Sequence, residues 1–146
     1  MPRSRMVRPD FWDDEKLSTI SRDARLTFIA LWVFADDFSV VKAHPVWLKN
    51  HIYPYDEKLK LSDFKSWIQE IQDIGAIIPF SAKNELYFFI TNFDKHQTIN
   101  RPSALRNPEP PANILEHSMS THDPLIDKVK YKLNISKEEK DSSAQK

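Results

Sequence analysis

The chain contains a single glycine, Gly75, among its 146 residues. Loops of the GxGxxG and Walker A types need several residues without Cβ packed against phosphate, so this count argues against nucleotide-fold enzymes. The chain also has no cysteine. Disulfide scaffolds, thiolate nucleophiles and Cys-ligated zinc sites are therefore excluded.

Other enzyme and membrane signals are weak. No apolar run approaches the roughly 18 to 20 residues that span a bilayer, and the start MPRSRMVRPDFW lacks the apolar core of a signal peptide. None of the five histidines forms an i, i+4 pair with the acid that a zinc hydrolase needs, and no Ser/His/Asp order carries a nucleophile-elbow glycine. We expect a cytoplasmic protein without catalytic activity, metal or cofactor, and without a membrane partner.

Charge is balanced overall, with 21 Lys and Arg against 21 Asp and Glu, but it is segregated along the chain. The first nine residues carry Arg3, Arg5 and Arg8 and no acid, and we call these three arginines the basic arm. Four acids follow at once: Asp10, Asp13, Asp14 and Glu15.

Apolar residues are dense up to Phe93, after which prolines and polar residues dominate. This change predicts one domain over residues 1–105 and a mostly disordered tail over 106–146. Within the tail, Leu125, Ile126, Val129 and Leu133 have helical spacing, which indicates a short amphipathic helix over 124–133.

Three helices are expected in the domain. The first is capped by Ser21 and is apolar almost all round from Leu26 to Ala35, so it should be the central pillar of the core. The second begins at Pro45 and ends before Tyr53, which precedes a proline. The third is capped by Ser62, has Phe64, Trp67, Ile68, Ile71 and Ile74 on one face, and ends with Gly75 at its C′ position.

The β-rich segments predict a small sheet. Residues 39–43 read as a short strand after the first helix, and residues 77–93 read as a hairpin whose first strand, containing Pro79, lies at an edge. The order helix, strand, helix, helix, hairpin is typical of an α+β winged helix-turn-helix with a flexible C-terminal tail. Another small α+β topology is the alternative.

Four stretches resemble the amino-terminal domain of phage replisome-organiser proteins, relatives of the DnaD-like primosomal initiators: RSRMVRPDFWDDEKLSTISRDARLTFIALWVFADD, HPVWLKNHIYP, IQDIGAIIPF and NFDKHQTINRPS. The resemblance covers residues 3–103. It implies a winged helix that takes part in origin DNA binding or self-assembly in a bacterial host cell and helps to load the host helicase. Family members usually have a glycine in the loop after the first helix, where this chain has residues 36–39, and many continue into a second domain for helicase-loader contacts.

Candidate DNA-binding residues lie in three places. On the third helix they are Lys65, Gln69 and Gln72, although this helix carries more acids than lysines. The basic arm either follows a minor groove or fastens the N-terminus. In the second case Arg5 and Arg8 pair with Asp13, Asp14 and Glu15 while Phe11 and Trp12 enter the core. The wing and the chain after it supply Lys83, Lys95, His96 and Arg101, of which His96 either contacts DNA or caps the chain as it leaves the sheet.

The leading hypothesis is a DNA-binding and assembly module of a phage or prophage replication initiator. Its expected partners are double-stranded DNA, further copies of the chain and a host replication protein. The alternatives are a protein-interaction or oligomerisation module that uses the winged helix as a docking surface, and a phage transcriptional regulator. All four tryptophans lie in apolar patterns and are expected to pack in the protein interior.

Overall fold

The structure, a computed structural model, describes residues 2–100, 102 and 107–117. A 3-10 turn covers Pro9–Phe11, and the helices are α1 (Glu15–Ser18), α2 (Arg22–Phe34), α3 (Pro45–Ile52), α4 (Leu61–Asp73), α5 (Phe93–His96) and α6 (Ala112–His117). The strands are β1 (Val40–Lys42), β2 (Ile77–Ala82) and β3 (Glu85–Ile90). The described part of the chain is therefore a mixed α+β domain, as the sequence predicted.

The three strands form one antiparallel sheet in the order β1-β3-β2. Val40 lies opposite Phe89 on one side of β3, and Ile77 lies opposite Ile90 on the other. The strand that contains Pro79 is at an edge, as expected for a residue that cannot donate to a ladder. The hairpin ends earlier than predicted, because β3 stops at Ile90 and a helical turn, α5, follows it.

Helix α2 supplies much of the core. The Ser21 hydroxyl accepts a hydrogen bond from the Ala24 N–H at 3.1 Å, which confirms this residue as the N-cap. Trp32 and Leu31 are fully buried. The expectation that this helix is enclosed on nearly every side is wrong at Leu26, which is 54% exposed.

Helices α3 and α4 follow their predicted spans with one correction. Pro45 begins α3, and its last residue, Ile52, directly precedes Tyr53. The N-cap of α4 is Lys60, not Ser62, because the helix begins one residue before that serine and has no side-chain cap. At its other end the chain forms a Schellman motif, in which the Gly75 N–H bonds to the Gln72 carbonyl and the Ala76 N–H to the Ile71 carbonyl.

Each face of the sheet is covered by a different part of the chain. Val41, Phe88 and Ile90 face the helices and join the main core. The other face, which includes Val40, Phe80, Tyr87 and Phe89, packs against Ile114 and Leu115 of α6. A helix inside the expected tail was not anticipated; the amphipathic helix over 124–133 lies outside the described residues.

Positive φ angles mark the tightest turns of the backbone. Gly75 has φ 75°, and Ser39, which is buried, has φ 74°. The predicted strand over 39–43 therefore begins one residue later, at Val40. In the hairpin loop Lys83 and Asn84 have φ 52° and 63°, the sign that a two-residue type I′ turn requires at both positions.

Gly75 and Ser39 should respond oppositely to substitution. We expect Gly75→Ala to lower the free energy of unfolding by about 1 kcal/mol, because a Cβ is disfavoured at this φ even though nothing lies within 4 Å of it. Ser39→Gly should raise it by about 0.5 kcal/mol, because the same backbone penalty is removed. Urea titrations measure both changes. Ser39→Ala is the control, and a gain from it equal to that from glycine would contradict the explanation.

Candidate nucleic-acid interface

Arg5, the central residue of the basic arm, lies inside the protein. Its guanidinium donates to the Asp37 carboxylate at 3.0 Å, to the Trp32 carbonyl at 2.9 Å and to the Ala35 carbonyl at 3.1 Å. It also lies 5.2 Å from the centre of the Phe93 ring. The side chain is 6% exposed and its carboxylate partner 0%. This arginine therefore closes the C-terminal end of α2, and its donors are engaged within the protein.

The other two arginines of the arm also have protein partners. Arg3 forms an ion pair with the same carboxylate, Asp37, at 2.7 Å, but its side chain remains exposed. Arg8 donates to the Lys95 carbonyl at 2.9 Å and to the Thr98 hydroxyl. The arm thus fastens the N-terminus to the domain, which was one of the two alternatives. The acid that pairs with Arg3 and Arg5 is Asp37, however, and not one of the acids at residues 13–15.

The chain after the hairpin is joined to the arm. The Gln97 side chain accepts from the Met6 N–H at 3.0 Å and donates to the Met6 carbonyl at 2.8 Å. His96 is 7% exposed and stacks on Trp32 with ring centroids 4.8 Å apart. It lies in the core, so the prediction of a DNA contact at this position does not fit its burial.

The burial of His96 lowers its pKa. Burial is the main cause that lowers its pKa from the usual 6.5 to about 4, with a further contribution from the nearby charge of Lys95. Lys95 is exposed, with its Nζ 3.8 Å from the Asp14 carboxylate. Of these two predicted site residues, only the lysine is accessible to a ligand.

Helix α4 offers few free donors. Lys65 and Gln69 are exposed, but the Gln69 amide donates to the Asp73 carboxylate at 2.8 Å. Gln72 is half-buried. Glu70 binds the start of α2, since its carboxylate accepts from the N–H and the hydroxyl of Ser21 at 3.0 and 2.8 Å. One acid of the helix, Glu70, is therefore structural, while Asp73 occupies the amide donor of Gln69.

Lys83 occupies the exposed loop of the hairpin, between β2 and β3. Arg101 lies outside the described residues. The structure therefore leaves Lys65 and Lys83 as accessible cations among the predicted side chains, with Arg3 and Lys95 exposed but paired.

Sequence reasoning missed a further surface. Residues 38–55, which include β1 and α3, contain no Asp or Glu. In this segment the Lys42 Nζ lies 5.8 Å from the centre of the Trp47 ring, and Trp47 stacks on His51 with centroids 4.1 Å apart. His44 accepts from the Trp47 N–H through Nδ1 at 3.4 Å, as the N-cap of the helix. We call Lys42, His44, Trp47 and His51 the α3 surface.

Lys42 of the α3 surface lies at the same end of the sheet as the hairpin loop. Lys42 is opposite Tyr87, two residues from Glu85 at the base of the turn, which corresponds to about 7 Å along the strand. The Glu85 carboxylate accepts a hydrogen bond from the Tyr87 hydroxyl at 2.9 Å. Lys42 and the hairpin loop therefore lie at one end of the sheet, with Glu85 between them. The acid-free run was visible in the sequence as a charge pattern.

Trp12 departs from the expected packing of the tryptophans. Its side chain is 69% exposed, although the neighbouring Phe11 is buried and makes an edge contact with Trp32 at 5.6 Å. The sequence prediction was therefore right for Phe11 and wrong for Trp12.

Comparison with known proteins finds no matching family model, no matching curated protein and no matching solved structure. Within residues 2–100 and 107–117, no group of three or more His, Asp or Glu side chains is placed to hold a metal ion. No helix in the same described ranges is long and apolar enough to cross a bilayer.

Removing Arg5 should affect stability far more than removing Arg3. Arg5→Ala removes the buried cation beside the fully buried carboxylate of Asp37, so we expect a loss of about 3 kcal/mol in the free energy of unfolding. Arg3→Ala removes an exposed ion pair to the same carboxylate and should cost less than about 1 kcal/mol. Chemical denaturation of the two variants checks this difference, and equal losses would show that the burial of Arg5 has no energetic weight.

His96 should make the protein less stable in acid. Because its folded-state pKa is below its unfolded one, the unfolded chain gains a proton first, and stability is lost as the pH falls from 6.5 towards 4. By pH 4 this loss approaches about 3 kcal/mol. Urea titrations of the wild type and of His96→Phe should therefore differ in their pH dependence over this range. Parallel curves would contradict the assigned role of the histidine.

Proposed function

We propose that this chain is the winged helix-turn-helix module of a phage or prophage replication initiator and that it binds the backbone of duplex DNA. The order of elements and the strand order β1-β3-β2 support this assignment, because they supply a helix pair, α3 and α4, followed by a β-hairpin wing. The family part of the proposal depends on the residues that resemble replisome organisers, above all RPDFW and NFDKHQ with NRPS.

The observation that carries the DNA-binding proposal is the acid-free α3 surface beside the wing. In a helix-turn-helix the first helix crosses the DNA backbone while the second lies in the major groove. In this chain α3 would be the first of the pair, and the segment 38–55 around it lacks carboxylates that would repel phosphate. Lys42 and the wing residue Lys83 can then each neutralise a phosphate.

Base recognition through α4 is expected to be weak. Its exposed side includes Asp63 and Asp73 beside Lys65, and its glutamine donor at position 69 is engaged within the helix. A surface with phosphate contacts and few base contacts binds many sequences with similar affinity and responds steeply to salt. The module therefore supplies general affinity for duplex DNA, and a preferred origin sequence would need several copies or another domain.

The test is fluorescence anisotropy of a labelled duplex at about 50 and about 200 mM salt, where phosphate-dominated binding weakens steeply. Lys42→Gln combined with Lys83→Asn removes two charges, and asparagine tolerates the positive φ of the turn. We expect weaker binding and a salt slope smaller by about 2, since each neutralised phosphate contributes about 0.9.

The matched control is Lys16→Gln combined with Lys95→Gln, which removes two exposed charges from α1 and α5. Its salt slope should stay close to that of the wild type. A smaller slope in this control but not in the first variant would place the contact at the chain after the hairpin, as the sequence alone predicted for Lys95. Absence of binding at the lower salt would contradict the DNA-binding proposal.

A further inference from the structure

A groove with an apolar lining lies between the 3-10 turn and α2. It has a volume of about 310 Å³ and is lined by Phe11, Trp12, Arg22, Arg25, Leu26 and Ile29. We call it the Trp12 groove. Its volume is at the lower limit of small ligand pockets, which suits one aromatic side chain. Trp12 and Leu26 leave more than half of their side-chain surface in water, which is costly for residues this apolar.

The rim of the groove is positively charged. Arg22 and Arg25 belong to the same stripe of α2 as Leu26 and Ile29, at helical spacing. Within residues 2–100, 102 and 107–117, no carboxylate lies at ion-pair distance from either arginine, and the buried Nε of Arg25 has no hydrogen-bond partner. An occupant of the groove should therefore combine an aromatic ring with adjacent carboxylates.

The same chain presents that chemistry in the loop between α3 and α4. Tyr55 is 95% exposed and is followed by Asp56 and Glu57, both exposed. We call residues 55–57 the Tyr55 segment. Tyrosine is among the residues that contribute most to protein interfaces when a partner buries them.

The Tyr55 segment is held in a fixed position. The preceding Tyr53 packs edge-on against Trp67 at 5.7 Å, and its hydroxyl lies 2.7 Å from that of Thr27 on α2. Two backbone hydrogen bonds, from the Asp56 N–H to the Tyr53 carbonyl and from the Leu59 N–H to the Asp56 carbonyl, close the turn. A preorganised loop loses little conformational entropy when it binds, which favours its use in a contact.

We propose that the Trp12 groove binds the Tyr55 segment of a second copy of this chain. The Tyr55 ring enters the groove against Trp12 and Leu26, and Asp56 and Glu57 meet the two arginines. Tyr55 ends the acid-free segment 38–55, but this contact uses none of the side chains proposed to meet phosphate, Lys42 and Lys83.

The test is sedimentation velocity of the full chain from about 5 to about 500 µM, a range that covers weak contacts. The wild type should associate as the concentration rises. Tyr55→Ala should lower the association constant about 30-fold, as for an interface hot spot, whereas Tyr55→Phe should retain association. Leu26→Asp should also abolish association, and Val46→Asp, which changes another exposed apolar residue, should not.

Mixing the Tyr55→Ala and Leu26→Asp variants distinguishes this contact from any other mode of assembly. Tyr55→Ala retains an intact groove and Leu26→Asp retains an intact Tyr55 segment, so the two proteins together can form one complete contact. They should form a 1:1 complex at concentrations at which neither variant associates with itself. A wild type that stays monomeric throughout, association unaffected by Tyr55→Ala, or a mixture without a complex would each overturn the proposal. None of these outcomes depends on DNA.

Discussion

The buried carboxylate of Asp37 is the constraint on which the N-terminal half of the domain depends. It lies just beyond α2 and is fully removed from solvent, so it requires a cation and several hydrogen bonds. Arg5 supplies the cation from outside the helical core and also satisfies the carbonyls of Trp32 and Ala35 at the end of the helix. The N-terminal segment is thereby fixed along the end of α2.

The position of Arg5 goes together with several other contacts of the N-terminal segment. With Arg5 in place, the Met6 backbone meets the Gln97 side chain, which connects the N-terminus to the chain that leaves β3. The 3-10 turn then places Phe11 in the core beside Trp32 and leaves Trp12 at the surface. One wall of the Trp12 groove, formed by Phe11 and Trp12, belongs to the N-terminal segment that follows Arg5.

These contacts reduce the number of positive charges that are available to bind a ligand. The three arginines looked like a nucleic-acid-binding arm, yet their donors mostly serve the fold. The lysines that remain exposed in or near the acid-free segment 38–55 are Lys42 of β1 and Lys83 of the hairpin loop. This arrangement supports duplex binding through the first helix of the pair rather than through α4, whose Glu70 carboxylate is occupied at the start of α2.

Local signals in the sequence predicted most of the regular structure. A capping residue affects only its immediate neighbours in the chain, so it can be recognised from the sequence. The start of α2 at Ser21, the start of α3 at Pro45 and the end of α4 at Gly75 were therefore predicted correctly. The sequence could not show which acid pairs with Arg5, because the partner is remote along the chain and nearer acids at residues 13–15 were equally plausible. The burial of His96 and the packing of Leu115 on the sheet also depend on tertiary contacts that no local pattern records.

The central claim is that duplex DNA is contacted by the α3 surface and the wing. The most direct test is an amide and indole NMR titration of the isotope-labelled protein with a short duplex at low salt. The account predicts that the largest shifts occur at the backbone amides of Lys42 to His51, at the Trp47 indole and at Lys83 and Asn84. Shifts confined to the arm, residues 3–8, with these positions unchanged, would contradict it.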